Sequence, residues 1–322
     1  MKRLILLLLV SISICAECQM TQHLIGPLPA YNGQHANTKI PYLKYTPASV
    51  ASNPNKKYPV IVSFHGIGER TELYSTMASV STGDLPDLLV SGTGLPYFYA
   101  TSTSALVGDT WRPYNDATQP AYEFIVYAPQ CWQGYSYFYP IYGDAMLDEI
   151  EKNPNADLDR VYFVGLSFGG GAVLTMLQDP NISDRVAAAF SSCAGYSRYI
   201  WDSPQHSDYG NTSTGFAGWN GLLIIQHSIN DSTTDPAVMC CPRGKGSWHS
   251  DRAVDSINNR YKGKTTVEYY QYTTGGHVIW DRAFNPANAS VNYSLNNGQT
   301  MNWSMPLFSR LLTRTRTKNR RL

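Results

Sequence analysis

Charge is scarce in this 322-residue chain: Asp, Glu, Lys and Arg together make up 15% of it, and the formal net charge is +1. A near-neutral balance offers no electrostatic footprint for nucleic acid, so that class of partner is not expected. The one basic cluster, Arg310 to Arg321, reads as a frayed, solvated helix end. Long apolar runs are also missing. The run Leu4 to Val10 falls well short of the ~20 residues that cross a bilayer, so stable membrane insertion is not expected. Beyond residue 18 only Cys131, Cys193, Cys240 and Cys241 remain, without a Cys-x-x-Cys among them, and no two histidines stand as His-x-x-x-His. A metal site is therefore not expected, and nothing calls for an organic cofactor. No linker, internal repeat or low-complexity block divides the chain.

What is present suits one large core, since 43% of the residues are hydrophobic. The opening MKRLILLLLVSISICAEC pairs Lys2 and Arg3 with a short apolar run and the small residues Ala16 and Cys18, the layout of a secretory signal peptide. The expected organisation is a leader over 1–18, a single catalytic domain over 19–305 and a basic C-terminal helix or tail over 306–322, with export to the periplasm or the outside of the cell. Export permits disulfides, and Cys131 with Cys193 is the favoured pair because both follow predicted strands at one end of the sheet.

Apolar, β-branched segments at 58–64, 123–127, 160–164, 186–190, 222–226 and 267–272 read as strands. Helical patterns at 85–90, 142–151, 170–178 and 249–261 alternate with them. This alternation predicts an α/β fold with a mostly parallel central sheet and helices on both faces, in which ligands bind beyond the carboxyl ends of the strands.

Four strand ends carry chemistry. The first is VYFVGLSFGGG, where a buried strand runs into Gly165-Leu166-Ser167-Phe168-Gly169 and then a helix; Gly-x-Ser-x-Gly in that setting is a nucleophile elbow, tight enough that a Cβ at either glycine would collide. The second is FHGIGER at 64–70, a loop that could supply an oxyanion donor. The Ile67 N–H is the expected partner of the Phe168 N–H, with Gly66 leaving room for a carbonyl. The His65 side chain reads as satisfied by backbone groups, and Glu69 with Arg70 as a local ion pair. The third and fourth carry an acid and a base. Asp231 follows the strand Leu222–Gln226, with Asp235 its nearest competitor, and His277 follows Gly275-Gly276 after the last predicted strand. The chain order Ser167, Asp231, His277 is nucleophile, acid, base.

In YPVIVSFHGIGER, FIVYAPQC, DRVYFVGLSFGG and GGHVIWDRAF the chain resembles the α/β-hydrolases, in the branch of secreted carboxylesterases and predicted peptidases that includes feruloyl and acetyl-xylan esterases, dienelactone hydrolases and polyhydroxyalkanoate depolymerases. The likeness spans about residues 40–285. It implies Ser167 as nucleophile, His277 as base and Asp231 as acid, with no metal or cofactor. Phe168 stands where such proteins often carry methionine, and Ala237 to Trp248 is an insertion after the acid.

The expected activity is two-step acyl transfer on a small-molecule or polysaccharide-linked ester, with short or aromatic acyl groups on carbohydrate favoured. Two other readings stay open: a peptidase of the prolyl-oligopeptidase type, and a binding protein that keeps the fold without turnover. The aromatic stretch Tyr135 to Tyr142 could be a platform for sugars or ordinary core packing.

Overall fold

The structure is a computed structural model and describes residues 19–30, 36–47, 49–70, 124–132, 134–135, 138–195, 219–234, 250, 254, 265–277, 279, 292–294, 300–302 and 314–316. One sheet of eight strands dominates. Its strands are β1 (Gln19–Ile25), β2 (Ile40–Thr46), β3 (Tyr58–Phe64), β4 (Ile125–Pro129), β5 (Ala156–Leu166), β6 (Ala188–Ser192), β7 (Leu222–Ser228) and β8 (Thr266–Tyr272). The spatial order is β1-β2-β4-β3-β5-β6-β7-β8. From β4 to β8 all pairings are parallel, while β1 with β2 and β2 with β4 are antiparallel. A short antiparallel pair, β9 (Asn292–Ser294) and β10 (Thr300–Asn302), stands apart from the sheet.

Strands covered on both faces cannot alternate, and these do not: every residue of β3, β4, β6 and β7 is buried. β8 closes the order and is mostly half-buried. The strands absent from the sequence expectation, β1 and β2, are the antiparallel ones. β1 mixes Gln19, Thr21, Gln22 and His23 with few apolar residues and leaves Leu24 exposed, which is edge-strand chemistry rather than the continuous apolar run of a central strand.

Among the described residues the helices are α1 (Ser49–Ser52), α2 (Pro140–Glu151), α3 (Phe168–Met176) and α4 (Pro180–Ser183). Proline opens α2, where its missing N–H is not needed and its fixed φ suits the first turn. α3 is apolar all round and buried throughout, as a helix must be when it is packed on every side. Of the expected helix at 249–261, Ser250 and Val254 are helical; the expected helix at 85–90 lies outside the described residues. So does the insertion 237–248 with Cys240 and Cys241.

Two expectations change. Cys131 and Cys193 are not disulfide-bonded; both are buried thiols. Cys131 follows β4 and Cys193 follows β6, with β3 and β5 between them. Three strand spacings put about 14 Å between those strands, twice the reach of a disulfide. The tail also departs from a solvated helix: its described residues, 314–316, have no helical structure. They rest on β5, where the Tyr162 hydroxyl donates to Arg314 O at 2.8 Å and the Arg316 N–H donates to Asp159 O at 2.7 Å.

Part of the aromatic stretch is core. Phe138 and Tyr142 are fully buried, and Phe138 meets Phe64, Tyr142 and Phe168 with ring centroids 5.2–5.4 Å apart. Tyr135 and Tyr139 pack edge to face on each other at 4.6 Å. Packing accounts for Phe138 and Tyr142, whereas Tyr135 and Tyr139 are half-buried at its edge.

Candidate active site

The sheet order turns around at β3, because the chain goes from β3 to β4 on one side and then to β5 on the other. The carboxyl ends of β3 and β5 therefore flank the switch point where an open α/β sheet leaves a crevice. Ser167 stands there, between the last residue of β5 and the first of α3, with φ 53° and ψ −116°. A non-glycine residue in that region is strained by about 1–3 kcal/mol and must be held there by its surroundings. Its N–H donates to Ser192 O at 2.8 Å, and its carbonyl accepts from Gly171 N at 3.1 Å and Gly195 N at 3.0 Å. The two flanking glycines are required for space. A Cβ on Gly165 would lie 2.1 Å from Gly169 O, and one on Gly169 would lie 2.0 Å from Phe64 O. The strand, the turn and the helix touch through bare backbone, as the motif predicts.

Beside the turn, the loop after β3 is pinned by His65. The imidazole is completely buried, with Nδ1 2.6 Å from Gly66 O and Nε2 2.9 Å from the Cys131 N–H. A backbone N–H can only donate, so Nε2 accepts and Nδ1 carries the proton toward the carbonyl. Burial pushes this histidine down to about 4, more than the Gly66 hydrogen bond raises it, and Arg70 lowers it further. The sequence reading of His65 as a backbone-satisfied side chain holds. Ile67 begins a short 3₁₀ turn, Ile67–Glu69, at the head of the crevice. Arg70 donates from Nε to Ile67 O at 3.0 Å and from Nη1 to Tyr135 O at 2.8 Å, and its guanidinium lies 5.5 Å from the centre of the Phe168 ring. Arg70 thus braces the loop through two carbonyls; the Glu69 side chain, its expected partner, lies outside the described residues.

The structure brings Asp231 and His277 together. His277 Nδ1 is 2.7 Å from Asp231 Oδ2. Asp231 is buried, and its other oxygen accepts from the N–H groups of Thr233 at 2.9 Å and Thr234 at 3.2 Å. Burial alone would raise this carboxyl, but the hydrogen bonds and charge of His227 and His277 outweigh it and hold Asp231 well below the usual carboxylate range. Gly275 and Gly276 have φ of 127° and 65°, backbone that only glycine adopts without strain, and so turn His277 back toward the acid. The Gly276 N–H donates to Asn230 Oδ1 at 2.9 Å, and Gln226 Nε2 donates to both Ser192 Oγ at 2.8 Å and Ile279 O at 3.0 Å. That amide ties the histidine loop to the segment behind Ser167. Asp235, the competing acid, lies outside the described residues.

Sequence reasoning passed over His227, Gln226 and Asn230. His227 Nε2 is 2.9 Å from Asp231 Oδ2, and its Nδ1 is 2.7 Å from Ser250 Oγ. The available signal was the polar ending Gln226-His227-Ser228 on a strand that is otherwise Leu and Ile and is buried to its last residue. Cys193, His227 and Asp231 bring one donor atom each within 4.8 Å of one another. A cation there would have to break the His227–Asp231 hydrogen bond and remove a thiol proton that burial, followed by the Asp231 charge, holds on far above its ordinary range. The three fit the surroundings of a carboxylate better than a metal site.

No family model matches the chain, and no curated protein matches it. Among solved structures it is similar to a thermostable esterase, with 18% identity and a TM-score of 0.50 over 94% of this chain and 64% of that one. It is also similar to a ferulic acid esterase, with 15% identity and a TM-score of 0.45 over 84% of this chain and 95% of that one. An acylaminoacyl peptidase of Pyrococcus horikoshii has 12% identity and a TM-score of 0.45 over 84% of this chain and 39% of its own. The chain thus spans less than two thirds of the esterase and of the peptidase. At such identities the likeness is one of architecture, and together with the parallel sheet and the strained serine at its switch point it establishes that the chain has the α/β-hydrolase fold.

Proposed function

We propose that the protein is a serine hydrolase that cleaves carboxylic esters, with Ser167 as nucleophile, His277 as base and Asp231 as acid. The observation that carries this reading is the buried Asp231 carboxylate held 2.7 Å from His277 Nδ1, in a chain whose serine sits at φ 53° on the same end of the sheet. With Nδ1 committed to the acid, Nε2 is the ring atom that takes the Ser167 proton as Oγ bonds to the ester carbonyl carbon. In this reading the oxyanion is met by the N–H groups of Phe168, the first residue of α3, and of Ile67, the first residue of the 3₁₀ turn. Collapse breaks the carbon–oxygen bond to the alcohol, which leaves with the proton from His277. Water then attacks the acyl group, giving one proton to His277; the acyl–Oγ bond breaks, and that proton returns to Ser167.

Export fits this reading: a leader ending at Cys18 would release the chain at Gln19, the first residue of β1, and leave the sheet whole. For the substrate, Arg243, Lys245 and the glycines of the insertion make a poor apolar lid, which favours short or aromatic acyl groups on a polar alcohol such as a sugar over long-chain lipids. Labelling with a fluorophosphonate followed by kinetics on aryl acetates, feruloyl sugars, long-chain esters and aminoacyl amides tests both parts. The Ser167→Ala protein should fold, resist labelling and lose turnover by about three orders of magnitude or more. Labelling that survives in Ser167→Ala refutes the nucleophile, and a preference for amides would make the protein a peptidase instead.

A further inference from the structure

Asp231 serves two histidines through one oxygen. Oδ2 lies 2.7 Å from His277 Nδ1, 2.9 Å from His227 Nε2 and 2.8 Å from Thr234 Oγ1. The two rings come from the same end of neighbouring parallel strands: His277 from the loop after β8, His227 from the second-last position of β7. Their exposures differ as well. The His227 side chain is completely buried, whereas that of His277 is 14% exposed. A substrate can reach one of them and not the other.

The chemistry of the contacts fixes what His227 can do. An ionised carboxylate only accepts, so Nε2 of His227 carries the proton that points at Oδ2. Nδ1 faces Ser250 Oγ at 2.7 Å, and a hydroxyl can donate there, which completes a neutral imidazole locked in the Nε2–H tautomer. Thr234 Oγ1, 3.1 Å from the same Nε2, donates its own proton to Asp231. Among the described residues the remaining titratable group around this cluster is the Cys193 thiol, whose Sγ lies within 4.8 Å of the His227 and Asp231 donor atoms and which stays protonated and uncharged because it is buried. The charge Asp231 offers to His277 is therefore shared with one further ring and one hydroxyl.

We propose that His227 is a positioning residue for the hydrolysis: by donating from Nε2 to the oxygen that orients His277, it draws charge from Asp231 and sets the pH at which His277 becomes free to act as base. The inference rests on the hydrolase reading given above, and it goes beyond the triad to a residue that touches neither substrate nor nucleophile. Its direction follows from electrostatics. With His227 in place the carboxylate attracts a second proton on His277 less strongly, so the base is available at lower pH. Remove the donor and the full charge of Asp231 stabilises the imidazolium, which then persists to higher pH.

Three variants and one spectrum test this. In His227→Leu the acid limb of the kcat/KM profile should move up by about 0.5–1 pH unit, so that activity at a fixed pH on that limb falls by about 3–10-fold. His227→Gln can place an amide N–H near the former Nε2 and should return the limb to within about 0.3 pH unit of wild type. Ser250→Ala removes the proton that Nδ1 accepts but leaves the Nε2 donor, so its limb should stay close to wild type. A Leu variant with an unmoved limb and merely lower kcat would mean that His227 only packs, and would overturn the proposal. The spectrum guards against a Leu variant that does not fold: the ring ¹⁵N shifts of His227 in the intact Ser167→Ala protein should show the neutral Nε2–H tautomer, and an Nδ1–H tautomer or an imidazolium would equally overturn it. Because the spectrum needs no turnover, its failure is distinct from a failure of the hydrolase reading, which would appear as absent fluorophosphonate labelling.

Discussion

Acid should unfold this protein through His65. The imidazole is buried and neutral, pushed down to about 4 from the 6.5 it has in an unfolded chain. Because the folded value is the lower one, its contribution to stability is fully present above pH 6.5 and is lost as the pH falls through the window to about 4. At ~1.36 kcal/mol per pH unit the loss is about 2 kcal/mol by pH 5 and about 3 kcal/mol once the window has been crossed, a large part of a domain's net stability. The comparison that isolates it is His65→Ala. At pH 7.5 the substitution strands the Cys131 N–H and the Gly66 carbonyl that the ring now satisfies at 2.9 and 2.6 Å, and opens a void against Phe138, whose centroid is 4.9 Å away. Together these should cost about 3–5 kcal/mol. At pH 5 wild type has given up its ~2 kcal/mol and the variant has nothing left to titrate, so the gap should shrink to about 1–3 kcal/mol. Urea unfolding followed by tryptophan fluorescence at the two pH values measures both gaps. Should the alanine variant not fold, His65→Gln, which cannot titrate either, takes its place. A gap between wild type and variant that is the same at pH 5 and pH 7.5 would show that His65 is not held neutral by the fold, and the account of the loop it pins would fail with it.

Two further outcomes follow from close approaches and from charge. Gly169→Ala should cost about 3 kcal/mol or prevent folding, since its Cβ would meet backbone at Phe64 O at 2.0 Å, whereas Gly66→Ala, whose Cβ meets only the tip of the Leu166 side chain at 3.3 Å, should cost about 1 kcal/mol or less; equal losses in thermal unfolding would contradict the packing described for the turn. Arg185 donates to Asp144 and Asp148 on α2 and to Glu151 at its end, and burial together with Asp148 already raises the Asp144 carboxyl. Arg185→Ala should therefore destabilise by about 1 kcal/mol at pH 7 and by clearly less in 1 M salt, because the partners are partly exposed and screened; a salt-independent loss would point to packing instead.

How much of this could be read in the chain depends on whether a residue's role is local or lies across the sheet. The elbow is local: Gly165, Ser167 and Gly169 act within one turn, so the pattern that names them also fixes their spacing, and what the pattern leaves out is long-range, Phe64 O at 2.0 Å from a would-be Cβ and the bonds of Ser167 with Ser192 and Gly195. Central strands were legible for the same reason, since burial on both faces writes a continuous apolar run. β1 was not, because an edge strand can be half polar and still pair along seven registers, from Gln19 with Thr46 to Ile25 with Ile40; nor was β2, an interior strand whose apolar residues are interrupted by Pro41, Lys44 and Thr46. Asp231 and His277 were legible only as strand-end positions, and their 2.7 Å contact depends on two left-handed glycines and on Asn230 reaching Gly276. His227 shows the limit most clearly. It lies four residues from Asp231, but in an extended strand successive side chains alternate faces, and only the turn that follows β7 curls the carboxylate back onto the ring. A pattern of residue types cannot encode that curl. A buried histidine at the end of an apolar strand is nevertheless costly unless something accepts its N–H, and that cost is the physical reason to look for its partner within the next turn, where Asp231 stands.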